Sequence, residues 1–384
     1  MLTIRSRRVT ITRVEKSEKK FKPKKGEDLE MKRGIYIILL SAILLFFLIT
    51  GCGTNFIDSP DKSASESKTS QTASNNAANE SQAGTDKDEA RGETPKVYMT
   101  TDISPKGLMA IYKALSREAT GKVAVKIHTG EPGGTNFLSP DLIKDLVQYV
   151  NGTIVECNTA YGGSRASTAM HRQVAKDHGF TAIADVDIMD ADGTVGLPVT
   201  NGKHLREDIV GSHYKNYDFF IILSHFKGHA MAGFGGAIKN MSIGIASAGG
   251  KVLIHTAGVT DKTSDFALSF KTPQEAFLES MAEAAKAVAD DLGDNILYIN
   301  VMNRLSVDCD CDSSPAEPDM HDIGILGSLD PVALDKACVD LVYSAPDGQS
   351  LVERIESRNG IHTLDYAEEI GLGSQVYQLV RIDD

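Results

Sequence analysis

The run Phe219-Phe220-Ile221-Ile222-Leu223-Ser224-His225-Phe226-Lys227-Gly228-His229-Ala230-Met231-Ala232-Gly233-Phe234-Gly235-Gly236-Ala237-Ile238-Lys239-Asn240 organises the reading of this chain. Its first five residues are bulky, apolar and uncharged, the pattern of a strand buried on both faces. His225, Lys227 and His229 follow at once, then Gly233, Gly235 and Gly236. Open parallel sheets bind ligands at the carboxyl ends of their strands. Two imidazoles, a lysine and a glycine loop therefore fall where such a sheet keeps its site. Glycines let a backbone approach a ligand closely. Lys239 and Asn240, on the expected first turn of a helix, reach the same space, and the N-terminus of that helix would add partial positive charge. Histidines that merely cap a strand, with a glycine turn, are the structural alternative. The crowding of His, Lys and His at one strand end favours a functional site.

Outward from this run, apolar strands alternate with helical patterns. Strands are expected at 97–101, 122–127, 153–158, 181–186, 296–301 and 321–327. Ser104-Pro105, Ser139-Pro140 and Asp330-Pro331 each place a capping side chain before a proline at the first helical position. Helical spacing of Ala276, Phe277, Met281, Ala284, Ala285 and Val288 marks the clearest helix, ending at Gly293. Alternating strands and helices predict an α/β domain over 97–384. Its sheet is largely parallel with helices on both faces, and its site lies at the strand C-terminal ends, with a division into two lobes as an option. His128 with Glu131, and Glu156 with Cys157, Asn158 and Arg165, end two further strands on the same edge. Asp187, Asp190 and Asp192 read as a solvated turn rather than a calcium loop, because no glutamate follows at the required spacing.

The amino-terminal region has a different character. Residues 34–50 are uncharged and apolar, preceded by Lys32-Arg33 and ending Leu48-Ile49-Thr50-Gly51-Cys52. A basic flank, an apolar core and small residues describe a secretory signal. The ending resembles a bacterial lipobox, which implies cleavage before Cys52 and lipid (diacylglycerol and palmitate) on that residue. The expected location is extracytoplasmic, anchored to the cell membrane, with the bilayer as partner; a plain transmembrane anchor is the alternative. Residues 1–30 read as an over-extended start and 31–51 as the signal. Residues 52–96 form a tether too poor in apolar residues to fold. Residues 1–33 hold twelve of the 40 Lys/Arg and five of the 52 Asp/Glu, leaving 28 against 47, a balance of −19. That acidity argues against nucleic acid as partner.

Beyond Cys52 the cysteines are Cys157, Cys309, Cys311 and Cys338. Asp308-Cys309-Asp310-Cys311-Asp312 puts two thiols and three carboxylates in five residues. Such a set suits a divalent or transition metal such as zinc, iron or nickel. In an extended segment Cys309 and Cys311 would share one face and the aspartates the other. Cys309, Cys311 and Asp310 are the candidate ligands, and a loop with two buried thiols is the alternative.

The set His225-x-Lys227-Gly228-His229, Gly236-Ala237-Ile238-Lys239-Asn240, Asp308-Cys309-Asp310-Cys311 and Asp322-Ile323-Gly324-Ile325 with Asp330-Pro331-Val332-Ala333 resembles the uncharacterised prokaryotic family catalogued as domain of unknown function 362. Some members of that family carry a ferredoxin-like Cys-x₂-Cys-x₂-Cys segment. This chain has no such motif, so the resemblance implies no [4Fe–4S] cluster of that kind. A shorter region, His229-x₃-Gly233-x-Gly235-Gly236-x₂-Lys239 followed by His255, is similar to the nickel-pincer lactate racemases. That similarity implies Lys239 as cofactor attachment, His255 as nickel ligand and His229 as acid/base, with His128 or His225 as the second acid/base. Export through a general secretory route opposes a cofactor attached in the cytosol, whereas a simple metal is acquired outside.

Two functions follow. One is a metal-dependent enzyme, an oxidoreductase or a racemase-like proton-transfer catalyst, acting on a small anionic ligand through His229, His225 and Lys227. Lys239, Gly233, Gly235, Gly236, Asn240 and His128 would then hold ligand or cofactor. The other is a non-catalytic lipoprotein that binds a metal or small ligand.

Overall fold

The computed structural model describes residues 93–383. The signal run, Cys52 and nearly all of the tether lie outside the described residues. In chain order the elements begin β1 (Lys96–Thr100), α1 (Pro105–Ala114), β2 (Val123–Lys126), α2 (Pro140–Tyr149), β3 (Thr153–Glu156), α3 (Thr168–Asp177) and β4 (Val186–Ile188). A hairpin follows, β5 (Thr194–Pro198) and β6 (Glu207–Gly211), then β7 (Phe219–His225) and a second hairpin, β8 (Lys227–His229) and β9 (Gly233–Gly235). Next come α4 (Ala237–Met241), α5 (Ala248–His255), α6 (Gln274–Leu292), β10 (Ile296–Met302) and β11 (Gly324–Ser328). The chain closes with α7 (Pro331–Ser344), α8 (Gln349–Ser357), α9 (His362–Glu369) and β12 (Gln378–Arg381).

Eight strands form one mixed sheet in the order β12-β1-β11-β10-β7-β2-β3-β4. Only β11 runs against its neighbours, so the sheet is largely parallel. The alternation of strand residues sends Val123, Val125, Phe219, Ile221 and Leu223 to the face covered by α1 and α2. Ala124, Phe220 and Ile222 face the other side, beneath α6 and α7. The described residues make one unit, without the division into two lobes. None of the described helices is long and apolar enough to cross a membrane.

Chain order locates the crevice. From β2 the chain moves outward through β3 to β4; from β7 it moves the opposite way through β10 to β11. β2 and β7 are neighbours, so the direction reverses between them. Such a reversal leaves a gap at the strand C-terminal ends, which is where open α/β sheets bind ligands.

Two local expectations need correction. The strand expected at 181–186 is a single turn of 3₁₀-helix at Phe180–Ala182, and pairing with β3 begins only at Asp185. Gly179, at φ 88°, ends α3, and Phe180 turns inward to full burial, so the chain must turn before it can rejoin the sheet. Residues 308–312 are not extended. Asp312 N–H donates to the Cys309 carbonyl at 2.9 Å and closes a turn.

Candidate functional site

The strand ends deliver their side chains to a cavity of about 400 Å³. Lys126 ends β2, with His128 two residues on; Glu156 ends β3, and His225 ends β7. The β8–β9 hairpin, in register Lys227↔Gly235 and His229↔Gly233, folds over this edge. Lys239 and Asn240 from α4 and His255 from α5 complete the wall. Nearly every candidate read from the sequence therefore meets in one space. Gly233 does not line it. At φ 83° it packs against the backbone of Ile355 and Gly360.

Asp310 is the anchor of the hairpin side. Both its oxygens lie 3.0 Å from His225 Nδ1, and Lys227 Nζ lies 2.8 Å from Oδ2. Burial alone would raise its pKa, but His225 and Lys227 outweigh burial and hold the carboxyl well below the usual carboxylate range. His225 Nε2 faces the Asn303 carbonyl at 2.7 Å. Both ring nitrogens of His225 are thus occupied, and Lys227 is paired. His225 positions Asp310 with both ring nitrogens occupied, whereas Lys227 Nζ, paired with Asp310, still lines the cavity with donors to spare; Asp310 itself stands outside the thiol cluster next to it.

That cluster consists of His229, Cys309 and Cys311. Their ligating atoms all lie within 4.8 Å of one another, a spacing one ion can bridge. The Cys309 thiol is drawn well down, first by the hydrogen bond from Cys311 and then by Lys239, Lys227 and His229. The Cys311 backbone N–H adds a 3.4 Å contact to the Cys309 sulfur. His229 Nδ1 accepts from the N–H groups of Met231 at 3.2 Å and Ala232 at 2.9 Å. The neutral ring therefore carries its proton on Nε2, pointed at Cys309. Burial and Lys239 lower its pKa to about 4, so it is neutral at pH 7. As placed, His229 donates to a thiolate; it joins a ligand set only by giving up those backbone bonds.

His255 is set the other way. Its Nδ1 lies 2.6 Å from the Lys251 carbonyl, so Nδ1 keeps the proton and Nε2 keeps a lone pair. Burial lowers its pKa to about 3. A histidine whose Nδ1–H is held by a carbonyl is the form that ligates metals. Lys239 lines the same cavity, and its Nζ has no hydrogen-bonding partner among the described residues. Its charge acts on His229, His255 and Cys309. Lys239, His229 and His255 thus line one space.

The glycine loop has a different purpose from the one expected. A Cβ on Gly236 would come within 2.3 Å of the Asp335 carboxylate, and one on Gly235 within 3.2 Å of the Lys239 stem. Asp335 Oδ1 and Oδ2 accept from Ala237 N–H at 2.7 Å and Ile238 N–H at 2.9 Å. The amino end of α4 is satisfied by the protein's own carboxylate, so the helix supplies no anion site there. Its five residues also give a weak dipole.

Sequence reasoning passed over Lys126 and Lys251. Lys126 is 1% exposed, and its Nζ contacts the Ile127 carbonyl at 2.5 Å and Asn240 Oδ1 at 2.9 Å. Asn240 is locked in turn, its amide donating to Lys126 O, Leu223 O and Ser224 Oγ. Lys251 Nζ contacts only the Ala246 carbonyl, at 2.5 Å. Burial pulls Lys126 down to about 7 and lowers Lys251 as well. A lysine amid the apolar residues of a central strand was the available signal. Opposite, Arg165 bridges Glu131 at 2.9 Å, Glu156 at 3.3 Å and His128 Nε2 at 3.1 Å. Burial, and then the Arg165 charge, keep His128 neutral by holding its pKa well below the usual value.

The fold and site define a doubly wound α/β protein with a thiol–imidazole cluster and buried amines in its switch-point crevice. The chain belongs to the family described as domain of unknown function DUF362, whose model matches residues 123–340. The resemblance read from His225 through Ala333 is borne out. Among solved structures the chain is similar to the lactate racemase apoprotein from Thermoanaerobacterium thermosaccharolyticum, at 13% identity and TM-score 0.38, over 65% of this chain and 56% of that one. It is also similar to a protein from Thermotoga maritima, at 10% identity and TM-score 0.34, over 68% and 58%. The chain thus spans less than two thirds of either structure. No curated protein matches it.

Proposed function

We propose that this protein is a membrane-tethered, extracytoplasmic metalloenzyme that moves a proton or an electron on a small anionic substrate. The observation that carries the reading is the cluster of His229, Cys309 and Cys311, of which His229 and Cys311 line a cavity rich in buried amines. Two thiol groups, one already drawn toward thiolate, favour zinc, iron or nickel over magnesium or calcium. Cys309 and Cys311 would hold the ion, with His229 as the weaker third ligand. A metal held there supplies a Lewis acid or a redox centre beside the substrate. The chain's own residues supply the rest. Asp310, fixed by His225 and Lys227, holds the cysteine turn in place, while Lys239 offers a charge to the substrate anion. His255, neutral with a free Nε2, can take a proton from the substrate or serve as a ligand, as the racemase resemblance implies.

The test is elemental analysis of protein purified from its native host. Changing Cys309 and Cys311 together to Ser should remove most of the bound metal. His229→Ala should remove less, and Cys338→Ser, a buried core position, should change nothing. Equal metal in the double variant and the parent would reduce the cysteines to packing residues.

A further inference from the structure

The cavity is asymmetric from floor to mouth. At the floor stand Lys126 and Lys251, 1% and 8% exposed. Neither meets a carboxylate: Lys126 contacts a carbonyl and the Asn240 amide, and Lys251 a carbonyl. The nearby acids are committed elsewhere. Glu156 serves Thr129, His171 and Arg165, and Asp190 caps the Asn158 and Ala248 N–H groups. Asp208 is buried with no partner for either oxygen, and burial lifts its pKa to about 8, so it adds little charge. Buried amines with no carboxylate in hydrogen-bond reach are costly, and Glu156 and Asp190 act on them only from a distance; an anion between them lowers that cost.

The mouth is apolar. Phe266 lies between Tyr161 and His255, at ring separations of 6.2 and 5.6 Å, and Phe270 stands 6.3 Å beyond it. Phe270 lines the cavity and is nevertheless 75% exposed. Met231 and Ile243 add further apolar lining to the cavity. Size points the same way. At about 30 Å³ per water-sized group, 400 Å³ holds on the order of a dozen non-hydrogen atoms. A carboxylate or phosphate head alone leaves most of that space, and the aromatic wall, unfilled.

We propose that the ligand of this cavity is an amphiphilic anion, its carboxylate or phosphate head between Lys126 and Lys251 and its apolar part under Phe266 and Phe270. The inference rests on the anionic-substrate reading above and narrows its class.

The experiment is calorimetric titration of the full chain with four probes: octanoate, octyl phosphate, acetate and octan-1-ol. Octanoate or octyl phosphate should bind at least tenfold more tightly than acetate and than octan-1-ol, and the tighter of the two names the head group. Lys126→Met with Lys251→Met should weaken it at least tenfold, to the level of octan-1-ol. Phe266→Ala with Phe270→Ala should weaken it to the level of acetate. If octanoate and octyl phosphate bind no better than acetate, the site takes a small anion and the proposal fails. If octan-1-ol binds as well as octanoate, the amines are not an anion seat and it fails equally. The comparison of probes on the parent needs no variant to fold. Repeating it after chelator treatment separates the two readings, because metal content tests the metalloenzyme and probe affinity tests the ligand class.

Discussion

Lys126 concentrates the electrostatic stress of the site. Burial takes its pKa from 10.5 to about 7, with Lys251 and Arg165 acting in the same sense and Glu156 and Cys157 against them. The unfolded chain keeps this proton up to about pH 10.5, whereas the folded protein releases it near 7. The cost of burying the charge is therefore present in full below pH 7 and fades as pH rises toward 10.5. Lys126→Met removes that cost together with two hydrogen bonds. The stability of the variant relative to the parent should be greatest near pH 6 and should fall by up to about 1.4 kcal/mol per pH unit above pH 7. Urea unfolding at pH 6 and pH 9 measures it, and a difference independent of pH would contradict the assignment. The sequence concealed this residue for a physical reason. In Val123-Ala124-Val125-Lys126 the closing lysine reads as the start of solvent, and only the packing on both sides of the sheet, around Ala124 on one face and Val123 and Val125 on the other, shows both faces covered. His225, His229, Lys239 and Cys309 were legible because unlike chemistry crowds a strand end. Their division of labour was not, since it depends on which ring nitrogen each backbone group occupies.

Among the elements, α4 depends most on a remote residue. Its first two N–H groups are buried and rest on Asp335, which lies within α7 and also accepts from Asn300 Nδ2 at 2.7 Å. Asp335→Ala should cost about 2–4 kcal/mol by leaving those donors unpaired. Asp290→Ala, which breaks only an exposed i,i+4 pair with Lys286, should cost under about 0.5 kcal/mol. Chemical unfolding of the two variants is the comparison, and equal losses would deny Asp335 its capping role. Strands 219–225 and 296–302 and helix 274–292 were plain in the sequence, because a long uninterrupted pattern admits few readings. The β5–β6 hairpin was not read, although Asn201, at φ 56°, and Gly202 mark its turn. An eight-residue connection hides that signal between strands with little apolar alternation. The helix expected after the glycine run does exist, but Asp335 sits more than ninety residues downstream, so nothing local reveals what fills its amino end.

At the scale of the molecule, the site follows from the reversal of chain direction between β2 and β7. That topology was within reach of the sequence as alternating strands and helices, though the order of strands was not. The proposed anchor gives a further expectation. Cys52→Ser should move the protein from the membrane fraction to the soluble fraction, and mass spectrometry of the native amino-terminal peptide should show the lipid. Unchanged fractionation without a lipid mass would overturn it. The direction of β1 bears on any such attachment. β1 is antiparallel to β11, which is antiparallel to β10, so β1 points the same way as β7 and β2. The chain therefore enters the sheet at Lys96 and runs toward the crevice edge, with Val97 level with Lys126 through Ser328, Tyr298 and Ile222 but three strands to the side of β7. A load applied through the residues ahead of Lys96 reaches the sheet from the side, about 14 Å from β7 at ~4.8 Å per strand. When the domain is held by its amino-terminal side on a sensor surface, ligands should find the mouth unobstructed.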